Sequence, residues 1–406
     1  MPTSASDPIL IAGAGPTGLT LALKLGLVGV PCRVLEAEPA LTHDLRAGSF
    51  HPPTVEMLAS LGLEQDMLGR GIKVPVWQIR DRIEGVVADF DLSLLADVTR
   101  FPYRLHLEQH RLTPLLLDRI RTATSSVSIE FNAPVESVSQ DGNGVTVQAG
   151  GKTCRGSFVV GCDGARSVVR QSVKIDFEGF TWPERFLVAS TTFNLGTLGF
   201  AGAGYVADPE HWAAVFLVPD DGPPGLWRIA YGTDPDMSEA SVLASGAIQS
   251  RLKIILEHVL PKADDFALKY ASTYRVHQRV AGRFCAGRVA LAGDAAHINN
   301  PLGGFGLNGS IHDAMNLGEK LIEIHHNRAE YNALFDLYDR QRRPINIKAV
   351  QAMSIRNKRL LAEKDQTVRK ASLADLRATA ADRDKARAFL LNTSMINSVW
   401  EAAAIR

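Results

Sequence analysis

The sequence has few cysteines, no long apolar run and no excess of charge of either sign. Its four cysteines, Cys32, Cys154, Cys162 and Cys285, show no CxxC or other metal-ligand spacing, so no metal site is expected. Buried free thiols are favoured over disulfides. Lys plus Arg and Asp plus Glu both number 44, which gives no reason to expect a nucleic acid or an anionic membrane as partner.

Membrane and export signals are also missing. No apolar run reaches the ~20 residues that a spanning helix needs. The first apolar strand lies close to the beginning of the sequence, with no basic segment before it, so a signal peptide is not expected. These features predict a soluble cytoplasmic protein whose 406 residues divide into two or three structural units.

The first motif is a glycine turn between a strand and a helix. "ILIAGAGPTGLTLALKLG" places Gly13, Gly15 and Gly18 after the strand, and Pro16 and Thr17 at the helix start. In a dinucleotide fold such glycines allow a tight turn, close approach to a pyrophosphate, and packing of helix on strand. The helix N-terminus supplies free N–H groups for the phosphates.

A carboxylate completes this pattern. Glu36 ends the next strand, 18 residues after Gly18, where it can accept a ribose hydroxyl. The pattern predicts dinucleotide binding. The alternative is a structural glycine turn, with Glu36 a solvated strand end.

The rest of the chain does not continue as an NAD-linked dehydrogenase would. A long excursion follows, and a nucleotide-type turn returns only at Gly293, which favours FAD over NAD. We predict an α/β fold: a Rossmann-like FAD-binding domain in two parts, 1–175 (with a β insertion at about 74–104) and 281–330. A mostly antiparallel substrate-binding sheet at 176–280, with one helix from Leu243 to Leu260, separates them, and helices follow at 331–406. The turn sequence that begins at Asp141 is expected to join two strands of the first part. The inner face of the 176–280 sheet offers aromatic residues that suit either an aromatic ligand or the sheet core: Trp182, Phe186, Phe193, Phe200, Tyr205, Phe216, Trp227 and Tyr231.

Two further stretches carry a family resemblance. "GCDGARSVVR" contains Asp163 and Gly164, and "GDAAHINNPLGGFGLN" begins at Gly293. With the glycine turn, they resemble the DG and GD motifs of the class A flavoprotein monooxygenases, the FAD-dependent aromatic hydroxylases that include para-hydroxybenzoate hydroxylase. The resemblance covers roughly residues 8 to 345.

The resemblance implies a set of FAD contacts. Asp294 would bond the ribityl chain, and the turn from Pro301 to Asn308 would place N–H groups beside the flavin's pyrimidine edge, where reduced flavin carries negative charge. Arg46 and Gln109 match single family positions near FAD. The predicted cofactor residues are Gly13, Gly15, Pro16, Thr17, Gly18, Glu36, Arg46, Gln109, Asp163, Gly293, Asp294, Pro301, Gly303, Gly304, Gly306, Leu307 and Asn308.

Some of these assignments have structural alternatives. Asp294 could instead cap a helix, and His297 is expected to be a packed loop histidine. Arg166 and Arg170 are either phosphate partners or solvated helix positions.

The resemblance also implies the chemistry. NADPH or NADH would reduce FAD, and O₂ would form a flavin C4a-hydroperoxide that hydroxylates a small phenol-like or hydroxy-heteroaromatic ring. His51, Tyr205 and His211 are candidates for a base that deprotonates the substrate, although each could equally be packing or surface. A homodimer is compatible with the family. The helical segment after Tyr331 is too short for the thioredoxin-like domain of larger relatives.

Other functions stay open at this point. An NAD(P)-dependent dehydrogenase would leave the DG and GD motifs unexplained. A halogenase lacks support because its tryptophan-pair motif is not found. A non-catalytic flavin- or ligand-binding protein is also compatible, since the flavin itself carries the chemistry.

Overall fold

Two large sheets organise the chain, as a computed structural model shows. It describes residues 7–42, 48–261, 264, 266–327 and 330–406. In these residues the strands are β1 Ile9–Ala12, β2 Cys32–Leu35, β3 Ser49–Phe50, β4 Ile72–Val74, β5 Val76–Asp81, β6 Gly85–Asp91, β7 Arg104–His106, β8 Val127–Glu130, β9 Val135–Asp141, β10 Gly144–Ala149, β11 Lys152–Gly156, β12 Val159–Gly161, β13 Phe177–Thr191, β14 Ala203–Ala207, β15 Ala213–Val218, β16 Leu226–Gly232, β17 Leu268–Ala281, β18 Cys285–Ala286, β19 Val289–Leu291 and β20 His297–Ile298.

The helices of the same residues alternate with these strands and then form the C-terminal part. They are α1 Pro16–Gly26, α2 Pro52–Ser60, α3 Glu64–Arg70, α4 Gln109–Ala123, α5 Val168–Ser172, α6 Glu239–Leu243, α7 Ser245–Leu256, α8 Phe305–Asn327, α9 Tyr331–Ile345, α10 Ala352–Leu361, α11 Gln366–Ala381, α12 Arg383–Thr393 and α13 Ile396–Ala404. A π-helical segment, Asn346–Gln351, joins α9 to α10.

The first sheet has the order β18-β19-β12-β1-β2-β8. Its strands pair in parallel, apart from the antiparallel pair β18–β19. Strand β1 is buried at every position, as expected for a parallel strand covered on both faces. Helix α1 packs against α4 and α8, and the apolar residues between these layers form one core.

The second sheet has the order β20-β17-β13-β16-β15-β14-β5-β6. All of its pairs are antiparallel except β14–β5. The hairpin β5–β6, which lies in the predicted insertion, is therefore hydrogen-bonded to the strands of the 176–280 region. Helices α11 and α12 cover the β6 end of this sheet.

The predicted mixed α/β class is confirmed. Strand Ile9–Ala12 and the turn after Asp141 lie where the pattern placed them. The single helix expected from Leu243 to Leu260 is wrong, because extended backbone at Ala244 divides it into α6 and α7. In the described part of the chain, no helix combines the length and apolarity that a membrane crossing requires.

Candidate active site

Four loops meet at one edge of the parallel sheet. The strand register places Ala12 level with Leu35 and Gly161, and Gly161 level with Leu291. These four residues are the carboxyl ends of their strands. The loops that follow them carry the glycine turn, Glu36, the DG motif and the GD motif. The carboxyl edge of a parallel sheet is where such folds bind nucleotides.

One cavity of about 750 Å³ runs along this edge to the second sheet. It is lined by most of the predicted cofactor residues: Gly13, Gly15, Pro16, Thr17, Glu36, Gln109, Asp163, Asp294, Pro301, Gly304, Gly306 and Leu307. Four of the predicted residues do not line it: Gly18, Gly293, Gly303 and Asn308. Arg46 lies outside the described residues.

Steric space explains the first glycine turn. Gly13 has φ +100°, and a Cβ there would lie 2.5 Å from the carbonyl oxygen of Cys162. A Cβ on Gly18 would lie 2.0 Å from the oxygen of Gly13, so the helix can approach the strand only without it. At Gly15, by contrast, a Cβ would meet no atom within 4 Å. This open position at the N-terminus of α1, which has no side-chain cap, leaves N–H groups free for an anion.

Glu36 closes the same turn. Its Oε2 accepts a hydrogen bond from the backbone N–H of Ala14 at 2.5 Å, and its Oε1 accepts one from Glu38 at 2.9 Å. The carboxylate is therefore fixed at the strand end, beside the glycine turn and on the cavity wall.

In the DG loop, Asp163 and Arg170 have different surroundings. Oδ2 of Asp163 accepts from the N–H of Val169 at 3.1 Å, whereas Oδ1 is buried with no hydrogen-bond partner in the described structure. Burial raises the pKa of Asp163, although hydrogen bonds from Ser167 and Val169 oppose this. Oδ1 is thus a free acceptor in a residue that lines the cavity.

Arg170 joins the DG loop to the GD loop. Its guanidinium donates to the carbonyl oxygens of Ala295 and Ala165, each at 2.8 Å, and its central carbon lies 3.9 Å from the ring centre of Phe177. The phosphate-partner alternative is therefore not needed for Arg170. Arg166 is exposed and lines the cavity.

The GD loop is held by a buried charge network. Asp313 accepts from Nε2 of His297 at 2.6 Å, from the N–H of Gly293 at 3.1 Å and from Nε of Arg342 at 2.7 Å. Burial alone would raise the pKa of Asp313, but His297 and Arg342 outweigh it and lower the pKa to about 2. His297 is thus packed, as expected, but it lies in the short strand β20 and not in a loop, and it also binds Asp313. Asp294 itself lies on the cavity side and is exposed.

The bend after the GD loop is tied to the segment before α2. Gly303 and Gly304 have φ of +112° and +71°, and helix α8 begins directly after them. Oδ1 of Asn308 accepts from the N–H of His51 at 2.8 Å, and its Nδ2 donates to the oxygen of Ser49 at 2.8 Å. The predicted role of Asn308 beside the flavin is thus accompanied by a clear structural one.

His51 does not line the cavity. Its ring is fully buried, bonds the oxygen of Gly303 through Nε2 at 2.9 Å, and stacks on Phe305 with 5.7 Å between centres. Because a carbonyl oxygen only accepts, Nε2 carries the proton. Burial, and then the charge of Arg104, lowers the pKa of His51 well below its ordinary value, so the ring supports the bend as a neutral side chain.

Tyr205 and His211 also lie away from the cavity wall. Tyr205 is buried edge-on against Trp77, with 4.6 Å between ring centres. His211 lies in the connection between β14 and β15, where its Nδ1 contacts Arg251. Their placement gives neither a route to a substrate in this cavity.

Apart from Phe216, the residues that the second sheet and β7 contribute to the wall were not singled out from the sequence. The contributed residues are His106, Val188, Phe216, Val218, Arg228, Ala230 and Tyr274. Of the eight aromatic residues predicted for the inner face of this sheet, only Phe216 lines the cavity in the described structure; core packing accounts for others such as Phe186 and Trp227. The one feature of the sequence that could have identified His106 is its position in a short strand, three residues before Gln109.

His106 is the histidine on this wall. Nδ1 donates to the oxygen of Leu217 at 2.7 Å, and Nε2 is buried without a partner. The ring meets Phe216 with 6.0 Å between centres. Burial lowers the pKa of His106 to about 4, with a further contribution from the charge of Arg104, so the ring is neutral at physiological pH.

Comparisons with known proteins support the interpretation of this cavity as an FAD site. The family model described as FAD binding domain matches residues 7–353. Para-nitrophenol 4-monooxygenase of Pseudomonas sp. (strain WBC-3) is 36% identical over 395 residues, covering 96% of each chain. The 6-hydroxy-3-succinoylpyridine 3-monooxygenase of Pseudomonas putida (strain DSM 28022 / S16) is 33% identical over 366 residues, covering 88% of this chain and 90% of the relative.

The fold of a solved structure agrees with these sequence matches. The crystal structure of p-nitrophenol 4-monooxygenase from Pseudomonas putida DLL-E4 superposes with a TM-score of 0.88, at 34% identity, over 96% of this chain and 98% of that one. The chain belongs to the class A flavoprotein monooxygenases, the FAD-dependent aromatic hydroxylases. It is an FAD-dependent oxidoreductase, as the three motifs predicted.

Proposed function

We propose that this enzyme binds FAD along the sheet edge and hydroxylates a small phenol or hydroxypyridine against the second sheet, with NADPH or NADH as reductant. One observation carries the proposal: a single cavity joins the nucleotide-binding loops to apolar residues of the second sheet. A cofactor and a second, small ligand can therefore meet inside it.

The residues present fit FAD. The open position at Gly15 and the free N-terminus of α1 suit the diphosphate. The carboxylate of Glu36 suits a ribose hydroxyl, and Asp294 faces the same cavity from the GD loop. The glycine bend at 303–304 leaves the N-terminus of α8 as a positively polarised wall for the pyrimidine end of a flavin. Bound FAD would supply the redox and oxygen chemistry.

The protein's own contribution is placement and exclusion of water. Val188, Phe216, Val218 and Ala230 form an apolar surface on the second sheet, which suits one aromatic ring. Arg228 is held by Glu108 and by the hydroxyl of Tyr270, so it forms a fixed side of this surface. With the bend tied down by Asn308, neither wall has to reorganise to receive a ligand.

The relatives' names suggest the first substrates to test. 4-Nitrophenol and 6-hydroxy-3-succinoylpyridine each contain one aromatic ring, which suits the apolar residues of this wall. Docking of the nicotinamide cofactor is proposed for the open side of the cavity near Arg166, since the described chain has one glycine fingerprint at a strand end.

The test is turnover with labelled oxygen. Purified holoenzyme is mixed with NADPH or NADH and each phenol under ¹⁸O₂. We expect the substrate to accelerate cofactor oxidation and one ¹⁸O atom to appear in the product. Cofactor oxidation that no phenol or hydroxypyridine accelerates, with no label in any product, would contradict the proposed substrate class.

A further inference from the structure

Arg104 differs from every other buried arginine of the described chain. The five are Arg80, Arg104, Arg170, Arg228 and Arg342. Four of them donate to oxygen atoms: Arg80 to Gly199, Arg170 to Ala295, Arg228 to Glu108 and Arg342 to Asp313. In Arg104, which is 2% exposed, both Nε and Nη1 are buried with no hydrogen-bond partner among the described residues.

The described neighbours of this guanidinium are the ring of Trp77 and, electrostatically, Tyr205. Its central carbon lies 3.9 Å from the ring centre of Trp77, a cation–π contact that offsets part of the cost of burial. Burial lowers the pKa of Arg104 to about 10, so the side chain is still charged at neutral pH. A buried charge without a counter-charge is unfavourable; an anion nearby would remove the penalty.

Arg104 lies directly behind the substrate side of the cavity. It shares a face of β7 with His106, two residues on, which lines the cavity. Phe216 also lines the cavity and contacts both His106 and Trp77, with ring centres 6.0 Å and 6.5 Å apart. A charge in this position acts on the cavity through one layer of aromatic side chains.

Among the residues that the structure describes, no neighbouring titratable group supplies a negative charge. Burial lowers the pKa of His51 and His106 and raises that of Tyr205, so all three are neutral at physiological pH. Glu108, on the segment after β7, is already paired with Arg228 and Arg111. The exposed Lys73 on the neighbouring strand β4 adds positive charge.

We propose that Arg104 determines the ionisation state of the ring that the cavity accepts, favouring a phenolate over the neutral phenol. This rests on the proposed function. Arg104 acts through the wall and does not touch the ring, so it is a specificity-determining residue. An electron-rich phenolate is also the form that an electrophilic oxygen attacks more readily.

The ionisation of a coloured phenol tests this without turnover. 4-Nitrophenol is bound to the FAD-loaded enzyme with no NAD(P)H, and its absorbance is titrated with pH in the bound and free states. We expect the pKa of the bound phenol to lie ~1 unit below that of the free one, the size of effect of a unit charge close by. Arg104→Lys should keep most of the shift, and Arg104→Met should abolish it.

Arg80→Met is the matched control. Arg80 is also buried and lies over an aromatic ring, Phe200, at 4.3 Å, but it does not line this cavity or contact its wall residues. Its replacement should leave the bound phenol's pKa unchanged. If Arg104→Met does not fold, Arg104→Gln takes its place.

Three results would overturn the proposal. They are a wild-type pKa equal to or above that of the free phenol, an undiminished shift in Arg104→Met or its replacement, and no binding of 4-nitrophenol at any pH. None of these decides the proposed function, because ¹⁸O incorporation is measured separately with a panel of phenols and hydroxypyridines, and a labelled product can form whatever the pKa of bound 4-nitrophenol is.

Discussion

At the scale of single residues, the buried charge network of Asp313 supports the site although Asp313 does not line the cavity. The carboxylate binds the N–H of Gly293 and neutralises Arg342 inside the core. Asp313→Asn leaves Arg342 buried without its counter-charge, which is expected to cost about 3–5 kcal/mol of stability. Chemical denaturation checks this. Asp375→Asn, on the exposed side of α11, should change stability by less than about 0.5 kcal/mol.

The same network gives a pH dependence with a definite sign. The pKa of Asp313 is lowered to about 2 from an ordinary 3.8. Its stabilisation is therefore complete above about pH 4 and is lost as the pH falls through 2, amounting to roughly 2 kcal/mol. Denaturation midpoints measured from pH 6 to pH 2 should fall less steeply in Asp313→Asn. Parallel curves for the two proteins would contradict this.

Asp294 faces the cavity and is expected to act on the cofactor. Asp294→Ala removes a charged hydrogen-bond acceptor worth about 1.5–3 kcal/mol, so FAD affinity should fall roughly tenfold or more. Fluorescence titration of the apoprotein with FAD measures this. Asp66→Ala, an exposed aspartate of α3, is the control; equal affinities for the two variants would leave Asp294 with a structural role.

Sequence motifs were sufficient for one kind of residue and not another. Gly13, Asp163 and Asp294 stand in motifs whose spacing reflects a turn at a strand end, and the structure places all three at the cavity. His106 and Arg104 belong to a three-residue strand with no motif. Their importance depends on what lies across from them, which strand pairing decides and local sequence does not.

At the scale of elements, the start of α1 separates folding from binding. Gly18→Ala would put a Cβ 2.0 Å from the oxygen of Gly13 inside the core, whereas Gly15→Ala meets no atom within 4 Å. Gly18→Ala should lower the melting temperature clearly. Gly15→Ala should cost under about 1 kcal/mol but weaken FAD binding, because its methyl group occupies the space left for the diphosphate.

Thermal unfolding of both apoproteins, followed by FAD titration of Gly15→Ala, measures these effects. Full FAD affinity in Gly15→Ala would place the diphosphate elsewhere in the cavity.

The helix that the sequence joined from Leu243 to Leu260 shows why element boundaries are hard to predict. Apolar periodicity continues across Ala244, yet its backbone is extended and Ser238 caps the shorter helix before it. Helix α6 packs against β17. That tertiary contact gives each helix its own direction, and no residue at the break predicts from the sequence that the helix ends there.

At the scale of the whole molecule, the parallel sheet could be predicted and the second sheet's order could not. Four of the parallel strands, β1, β2, β12 and β19, are each followed by a motif that belongs at a carboxyl edge. The eight-stranded sheet joins β5 and β6, from before residue 100, to strands from after residue 176. This pairing joins strands from two of the predicted parts of the chain. The predicted domain division itself stays a prediction.

FAD should stabilise the whole fold because the loops that would bind it come from distant parts of the chain. At an FAD concentration about 100 times Kd, binding adds about 2.7 kcal/mol, which for 406 residues corresponds to a melting temperature roughly 3 °C higher. Removing FAD should reverse the shift. Differential scanning calorimetry with and without added FAD measures it, and an unchanged melting temperature would show that FAD does not bind the folded state tightly.

The spacing of the loops also bears on synthesis of the protein. Gly13–Thr17 and Glu36 leave the ribosome early, but the GD loop and the bend before α8 follow about 280 residues later. Chains fold from the N-terminus as they are made, so a nascent chain that ends before the bend offers only the diphosphate end of the cavity. FAD binding is therefore expected late in translation, and a chain that holds FAD firmly has been translated past Asn308.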